Sequence, residues 1–392
     1  MEKTVRTAVI GIGNMGTAHA VAIRDGKVCG LELTALCDTD ESRLNFCRQN
    51  FPNVCLFNDW KNLIDSKTVD AVIIAVPHKT HSLIAEYALN AGLNVLVEKP
   101  VDISISRALK LNKTAKKSGK VFAIMFNQRT NELFAKAREI VQGGELGELK
   151  RSVWIITNWY RTQQYYNSGD WRASWAGEGG GVLLNQAPHN LDLWQWICGM
   201  PEEITAYCEE GKYHNIEVED EAMLIARYKN GAIGTFITST GEYPGTNRLE
   251  ISGDKGKIVI ENGILKWWKL NMSEREYCFE SDKEGIALNS NYSEIKESAH
   301  ETAHIGILQN FSNAILKGEA LLSPGTDGVF ELTISNAAYL SYWKGNVPVK
   351  LPFNVPEFDR LLEEHIKNST YHSKKIPHHE DGTYLPRWQV QW

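Results

Sequence analysis

The feature that most constrains this chain is a glycine turn set between an apolar strand and a helix of small residues. Thr7 to Ile10 reads as a short buried strand, and it runs directly into GIGNMG, with Gly11, Gly13 and Gly16 in G-x-G-x-x-G register. The first glycine permits the tight turn and the second lets a pyrophosphate approach the backbone. The third lets the following helix pack on the strand, with its N-terminal N–H groups toward the phosphates. A second apolar strand, LELTALCD, ends at Asp38, about 20 residues further on, where a carboxylate accepts hydrogen bonds from a ribose. A carboxylate there repels a 2′-phosphate, so the pattern favours NAD, while Arg43 nearby keeps NADP open as the alternative.

The pattern then repeats. VDAVIIAVP is a continuous apolar strand, HSLIAEYALNAG an amphipathic helix, and NVLVEKP a strand that stops at the charged pair Glu98-Lys99 before Pro100. A helix from Ser104 to Lys117 and the strand VFAIMF complete the alternation, which predicts a doubly wound parallel sheet over residues 1–126. Ligands bind outside the carboxyl ends of such strands. Lys99 is therefore expected in the crevice where cofactor and substrate meet, with Asn14, Met15, Pro77, His81 and Glu98 on the cofactor side.

A chain of 392 residues exceeds one typical core, so a second domain is expected over 127–355, followed by a C-terminal helix and extended arm over 356–392. The net charge of −6 argues against a nucleic-acid partner. No apolar run is long enough for a membrane span, and the N-terminus enters a strand directly, so a cytoplasmic protein is expected. Seven cysteines without a C-x-x-C pair read as reduced thiols.

The texture changes after Arg129. A strand, RSVWIITNWY, leads into a long polar and aromatic loop, RTQQYYNSGDWRASWAGEGGG, and half of the twelve tryptophans fall between Trp154 and Trp196. Indole faces among Arg161, Gln163, Gln164, Asn167 and Arg172 suit a polyhydroxylated ligand. Asn127, Trp159, Tyr165 and Trp171 join Arg161 and Arg172 as candidate substrate contacts. GGGVLLNQAPHNLDLWQWICGM then reads as a helix ending at Cys198, with Asn185, His189 and Asp192 on one face at i, i+4, i+7. His189 is the candidate base, because imidazole titrates near neutrality. Pro188 implies a late or bent start to that helix. EVEDEAMLIARY and AIGTFITST flank a Lys-Asn-Gly turn and read as a hairpin, followed by further antiparallel strands. Residues 273–299 read as a charged, mobile excursion, and two helices are expected near 302–317 and 326–343. His300-Glu301-Thr302-Ala303-His304 matches H-E-x-x-H, but it follows a charged loop and precedes a plain amphipathic helix, so no metal site is expected.

GIGNMGTAH, the acid at Asp38, VPHKTH, VEKP and GGGVLLNQAPHNLDLWQWICGMP together resemble the glucose-fructose oxidoreductase, inositol dehydrogenase and rhizopine-catabolism family, Gfo/Idh/MocA. The resemblance implies a Rossmann domain, a C-terminal α/β domain with an open, mostly antiparallel sheet, bound NAD or NADP, and redox chemistry on sugars, glycosides, inositols or related polyols. By position, Lys99 is similar to the family's catalytic lysine and His189 to its acid/base histidine. Asn185 departs from the pattern, since many members carry aspartate there; an amide orients a hydroxyl but holds no proton. The expectation is an NAD-dependent sugar or polyol dehydrogenase with Lys99, His189 and Asn185 as catalytic groups, assembled as a homodimer or homotetramer. A redox-neutral, NAD-using glycosidase or lyase and a non-catalytic cofactor sensor are the alternatives.

Overall fold

Valine, alanine and isoleucine fill most of β1 (Val5–Ile10), and their burial on both faces puts it inside a sheet. The structure, a computed structural model, describes residues 3–169, 171–285, 288–297 and 302–371. β1 is followed by α1 (Asn14–Arg24), β2 (Leu31–Cys37), α2 (Glu41–Asn50), β3 (Cys55–Phe57), α3 (Trp60–Asp65) and β4 (Ala71–Ile74). Then come α4 (His81–Asn90), β5 (Asn94–Val97), α5 (Ile105–Ser118) and β6 (Phe122–Ile124). The six strands are parallel, in the order β3-β2-β1-β4-β5-β6. The winding reverses between β1 and β4, which opens a crevice at their carboxyl ends.

The glycines behave as the turn requires. A Cβ on Gly11 would lie 2.4 Å from the Ala75 carbonyl oxygen, and one on Gly16 would lie 1.7 Å from that of Gly11. Any side chain at either position would drive β1, β4 and α1 apart.

After α6 (Glu132–Gln142), β7 (Leu149–Ile156) founds a second sheet. The long loop carries a single turn, α7 (Gln163–Tyr166), and leads to α8 (Pro188–Cys198). The sheet continues through β8 (Glu203–Glu210), β9 (Glu219–Arg227), β10 (Ile233–Ser239), β11 (Asn247–Gly253), β12 (Gly256–Glu261) and β13 (Ile264–Leu270). α9 (Glu274–Glu280), β14 (Ser290–Lys296), α10 (Ala303–Lys317), α11 (Gly328–Trp343), β15 (Val349–Lys350) and α12 (Val355–Asn368) follow. The order is β14-β13-β12-β11-β7-β10-β9-β8-β15. All neighbours are antiparallel except β7 and β10. One parallel pair in an otherwise antiparallel sheet agrees with the mostly antiparallel sheet expected; β10 returns beside β7 from the β9 hairpin and so runs the same way.

The stretch 273–299 is not simply an excursion. It contains α9, capped by the Ser273 side chain, and β14, which pairs with β13 from Ile264 opposite Lys296 to Leu270 opposite Ser290. β14 is polar because it is an edge strand exposed on both faces. α12 and residues 369–371 are described, whereas the extended arm expected beyond Tyr371 lies outside the described residues.

One apolar cluster unites the two sheets. It runs from Val72, Ile74, Val95 and Val97 through Leu183, Leu191 and Trp194 to Trp154, Phe236 and Ile251, with Leu332 and Tyr339 of α11. The carboxyl end of β5 is thereby held against the start of α8. Among the described residues no helix is long and apolar enough to cross a membrane, and the seven cysteines are free thiols.

Candidate active site

The cofactor end is organised by Asp38. Its Oδ2 accepts from the Ile12 N–H at 2.7 Å and its Oδ1 from the Asp40 N–H at 2.9 Å, so the tip of β2 is tied to the glycine turn. Each oxygen keeps a lone pair for a ribose hydroxyl. Gly13 is the N-cap of α1, whose first turn carries no acidic residue, so its N–H groups and dipole face an incoming phosphate unopposed. The Asn14 side-chain oxygen is shut from solvent with no hydrogen-bond partner among the described residues, as a group waiting for a ligand donor would be. Met15 and Pro77 are partly exposed beside this turn. Arg43 lies in the first turn of α2, its N–H bonded to the Asp40 carbonyl at 3.0 Å. This donor set fits a dinucleotide with a free 2′-hydroxyl.

Two residues expected at the cofactor are instead engaged with protein. His81 lies between two carbonyls, Nδ1 2.6 Å from that of Pro100 and Nε2 2.6 Å from that of Val76, so its one N–H binds one of them and the ring wedges between the ends of β4 and β5. Glu98 accepts from His19 Nε2 at 2.8 Å and joins the β5 end to α1. Burial alone would raise its carboxyl, but the His19 hydrogen bond and charge hold it down to about 2.

Lys99 is where the two domains meet. Its ammonium donates to the Asn185 backbone carbonyl at 2.7 Å. Burial lowers its pKa, against the attraction of Glu98 and Glu331. His189, second residue of α8 after Pro188, is nearly buried, and burial together with the Lys99 charge holds its imidazole well below the usual range. A neutral imidazole is thus available to accept a proton beside a cation.

Around them the loop folds into a polar wall. The Asn185 amide nitrogen donates to Tyr165 Oη at 3.1 Å and to Glu178 Oε1. Tyr165 Oη also receives Arg172 at 2.8 Å and Gln186 at 3.1 Å. The Arg172 guanidinium lies over both Tyr165 and Trp171, 4.5 and 4.3 Å from the ring centroids. Trp171 meets buried His78 edge-on at 5.2 Å. Arg161 lies 5.1 Å from the Tyr165 centroid and donates to the Trp159 and Tyr160 carbonyls. Trp159 donates to Asn190 at 3.2 Å, and Asn127 is buried in the turn after β6 with an unpartnered Oδ1 among the described residues.

The helical stripe does not survive. α8 begins at Pro188, so Asn185 stands in the preceding turn, its N–H bonded to the Gly181 carbonyl at 2.9 Å. Asp192 faces the core and pairs with Arg129 through two bonds of 2.8 and 2.7 Å. The tryptophans divide as well. Trp154, Trp175 and Trp194 are core residues, Trp175 packing on Tyr339 and Trp343, whereas Trp171 borders the site.

Two groups, Glu178 and Glu331, were not singled out from the sequence, and a third, His304, was singled out only as the end of the H-E-x-x-H match. Glu178 is 1% exposed, and its carboxyl is raised to about 7 by burial despite Arg172. Its position just before the three glycines was the available signal. Glu331, in the first turn of α11, is wholly buried with neither oxygen partnered among the described residues; burial and Asp192 push its carboxyl well above the usual range. His304 lies 6.1 Å from the His19 ring, its own pKa lowered to about 4 by burial. His300 and Glu301 of the H-E-x-x-H match lie outside the described residues. Among the described residues no cluster of three or more such side chains is placed to hold a metal.

Residues 5–126 match the family described as an oxidoreductase family with NAD-binding Rossmann fold, and residues 134–259 match the GFO/IDH/MocA C-terminal domain. The chain is 25% identical to myo-inositol 2-dehydrogenase of Thermotoga maritima, over 85% of this chain and 95% of that protein. It is 32% identical to an inositol 2-dehydrogenase of Corynebacterium glutamicum, over 70% of this chain and 68% of that one. The fold also matches the WlbA dehydrogenase of Bordetella pertussis, solved with NADH and UDP-GlcNAcA. That match has a TM-score of 0.76 and 22% identity, over 90% of this chain and 99% of that one. The chain therefore belongs to the Gfo/Idh/MocA family of NAD-binding oxidoreductases.

Proposed function

We propose that this protein is a dehydrogenase for a secondary alcohol of a sugar, glycoside or cyclitol, and that residues 1–126 bind NAD while 127–355 bind the substrate. The observation that carries the reading is the Lys99 ammonium at the carboxyl end of β5, bonded to Asn185 beside a neutral His189. When bound, the nicotinamide supplies the hydride acceptor. In oxidation the hydrogen on the carbinol carbon departs as hydride with the C–H electron pair, the O–H proton passes to His189, and the O–H electron pair forms the carbon–oxygen double bond. Lys99 donates to the reacting oxygen and stabilises its developing negative charge, and Asn185 orients the hydroxyl. Trp171, Tyr165, Arg172 and Arg161 form the wall against which the ring lies.

The names of the relatives support this class, since two are inositol dehydrogenases and the solved neighbour was crystallised with a sugar nucleotide. The exposed face of the second sheet, with Tyr207, Met223, Ile225 and Ile233 at its surface, supports a homodimer or homotetramer. The test is NADH formation from NAD against inositols, free hexoses, glycosides and UDP-sugars, with product analysis. NADH accompanied by a ketone on one class supports the reading; consumption of a glycoside without NADH contradicts it.

A further inference from the structure

The Asn185 amide is held by its nitrogen. An amide nitrogen has two hydrogens, and here both have acceptors: Tyr165 Oη at 3.1 Å and Glu178 Oε1. The oxygen, Oδ1, is the polar group that remains. Glu178 is itself fixed from its other side, where Oε2 accepts from the Ala173 N–H at 2.7 Å. The carboxyl is 1% exposed, and it lies within the field of Lys99 from the end of β5 and of Arg172 from the loop. The His78 ring, from the turn after β4, faces the Glu178 backbone carbonyl rather than the carboxyl. Tyr165 of α7 shares the Asn185 amide with it, and Tyr166 of the same turn lies within its field. Besides Glu178, the titratable groups bonded to Asn185 are Tyr165, at its amide nitrogen, and Lys99, at its backbone carbonyl.

We infer that Glu178 is a positioning residue for the reaction proposed above: ionised, it turns the Asn185 nitrogen inward so that Oδ1 accepts from an alcohol, and protonated, it reverses the amide. A carboxylate can only accept, so it selects the nitrogen. A carboxylic acid can donate to Oδ1, which turns the nitrogen outward as a donor to a ketone oxygen. The proton that is missing from an amide at position 185 thus resides one hydrogen bond away. Burial pushes this carboxyl up to about 7, against the pull of Arg172, so both forms occur near neutral pH. Alcohol oxidation is favoured above that pH and ketone reduction below it. The inference rests on the dehydrogenase reading for its consequence but not for the hydrogen bond itself.

The experiment is an NMR titration of the full chain, labelled with nitrogen-15 and saturated with NAD. The Asn185 side-chain resonances are assigned by their loss in Asn185→Asp. In the wild type they are expected to move with a midpoint near pH 7, and in Glu178→Gln to stay flat. A flat wild-type resonance, or the same titration in Glu178→Gln, overturns the proposal. If Glu178→Gln does not fold, Glu178→Asp decides, since the proposal requires the midpoint to move and an unmoved midpoint assigns the titration to another group. Kinetics give the second arm. With the alcohol that the wild type oxidises, Glu178→Gln is expected to lose about tenfold in kcat and to lose the fall in rate below neutral pH, with the KM for NAD unchanged. A uniform loss with the wild-type pH profile means a merely structural role and overturns it. If Asn185 titrates as described but the wild type oxidises no alcohol, it is the dehydrogenase reading that fails.

Discussion

The Lys99 ammonium donates a 2.7 Å hydrogen bond to the backbone carbonyl of Asn185, fastening the end of the dinucleotide-binding sheet to the turn that precedes α8. The same cation thereby joins the two halves of the proposed site. Replacing it with methionine, Lys99→Met, removes the proposed donor to the reacting oxygen while keeping most of the packing. Loss of one such donor costs about 10²–10³ in kcat. Stopped-flow NADH formation is expected to show that loss, and NADH fluorescence titration an unchanged Kd.

Asp38 ties the glycine turn to β2 through two backbone N–H groups and offers its remaining lone pairs to a ribose. Asp38→Ala is expected to weaken NAD binding by roughly 10- to 100-fold, the scale of a lost hydrogen bond to a charged group. NADP binding should weaken less, because the repulsion of its phosphate disappears with the carboxylate. Calorimetric titration with both nucleotides measures the two changes.

Arg129 and Asp192 form a bidentate pair inside the core, with Asp327 as a third member at 2.7 Å from the guanidinium. Asp192→Ala leaves a buried guanidinium short of its partner and should cost about 3–5 kcal/mol in chemical denaturation. The kcat of the folded fraction should stay near wild type. A large fall in kcat with stability preserved would return Asp192 to the site.

Glu98 predicts an acid limb in stability. Its folded pKa of about 2 lies below the ordinary 4.5 because His19 outweighs the cost of burial. A depressed carboxyl contributes stability above its unfolded value, and that contribution fades as pH falls from about 4.5 through about 2. The full contribution is of order 3 kcal/mol. Urea melts of wild type and Glu98→Gln should differ by that order near neutrality and converge toward about pH 2.

The dinucleotide half was legible because its signals are local. A strand, a glycine turn, a helix and a strand-end acid are contiguous in the chain, and Gly11, Gly16 and Asp38 stand where that logic requires. The place of Lys99 just past the end of β5 was legible for the same reason. The aromatic and polar wall was legible only as a composition. Which tryptophan is core and which borders the site depends on partners far away in sequence, as Trp175 on Tyr339 and Trp343 shows. The polar stripe through Asp192 failed because a helical wheel cannot see Arg129 arriving from another element. His81 looked like a cofactor contact because it follows a strand end, yet its ring sits between the carbonyls of Val76 and Pro100, each 2.6 Å from a ring nitrogen. Glu178 escaped notice because a carboxylate in a glycine-rich loop is ordinary until the fold buries it against Asn185.

The measurement that tests the central claim most directly is NADH formation by the wild type and Lys99→Met side by side, on myo-inositol and on a panel of hexoses and glycosides. The account predicts NADH and a ketone product from one alcohol class with the wild type, and loss of that turnover in Lys99→Met with NADH still bound. Wild-type rates in Lys99→Met, or an alcohol consumed with no NADH formed, would contradict it.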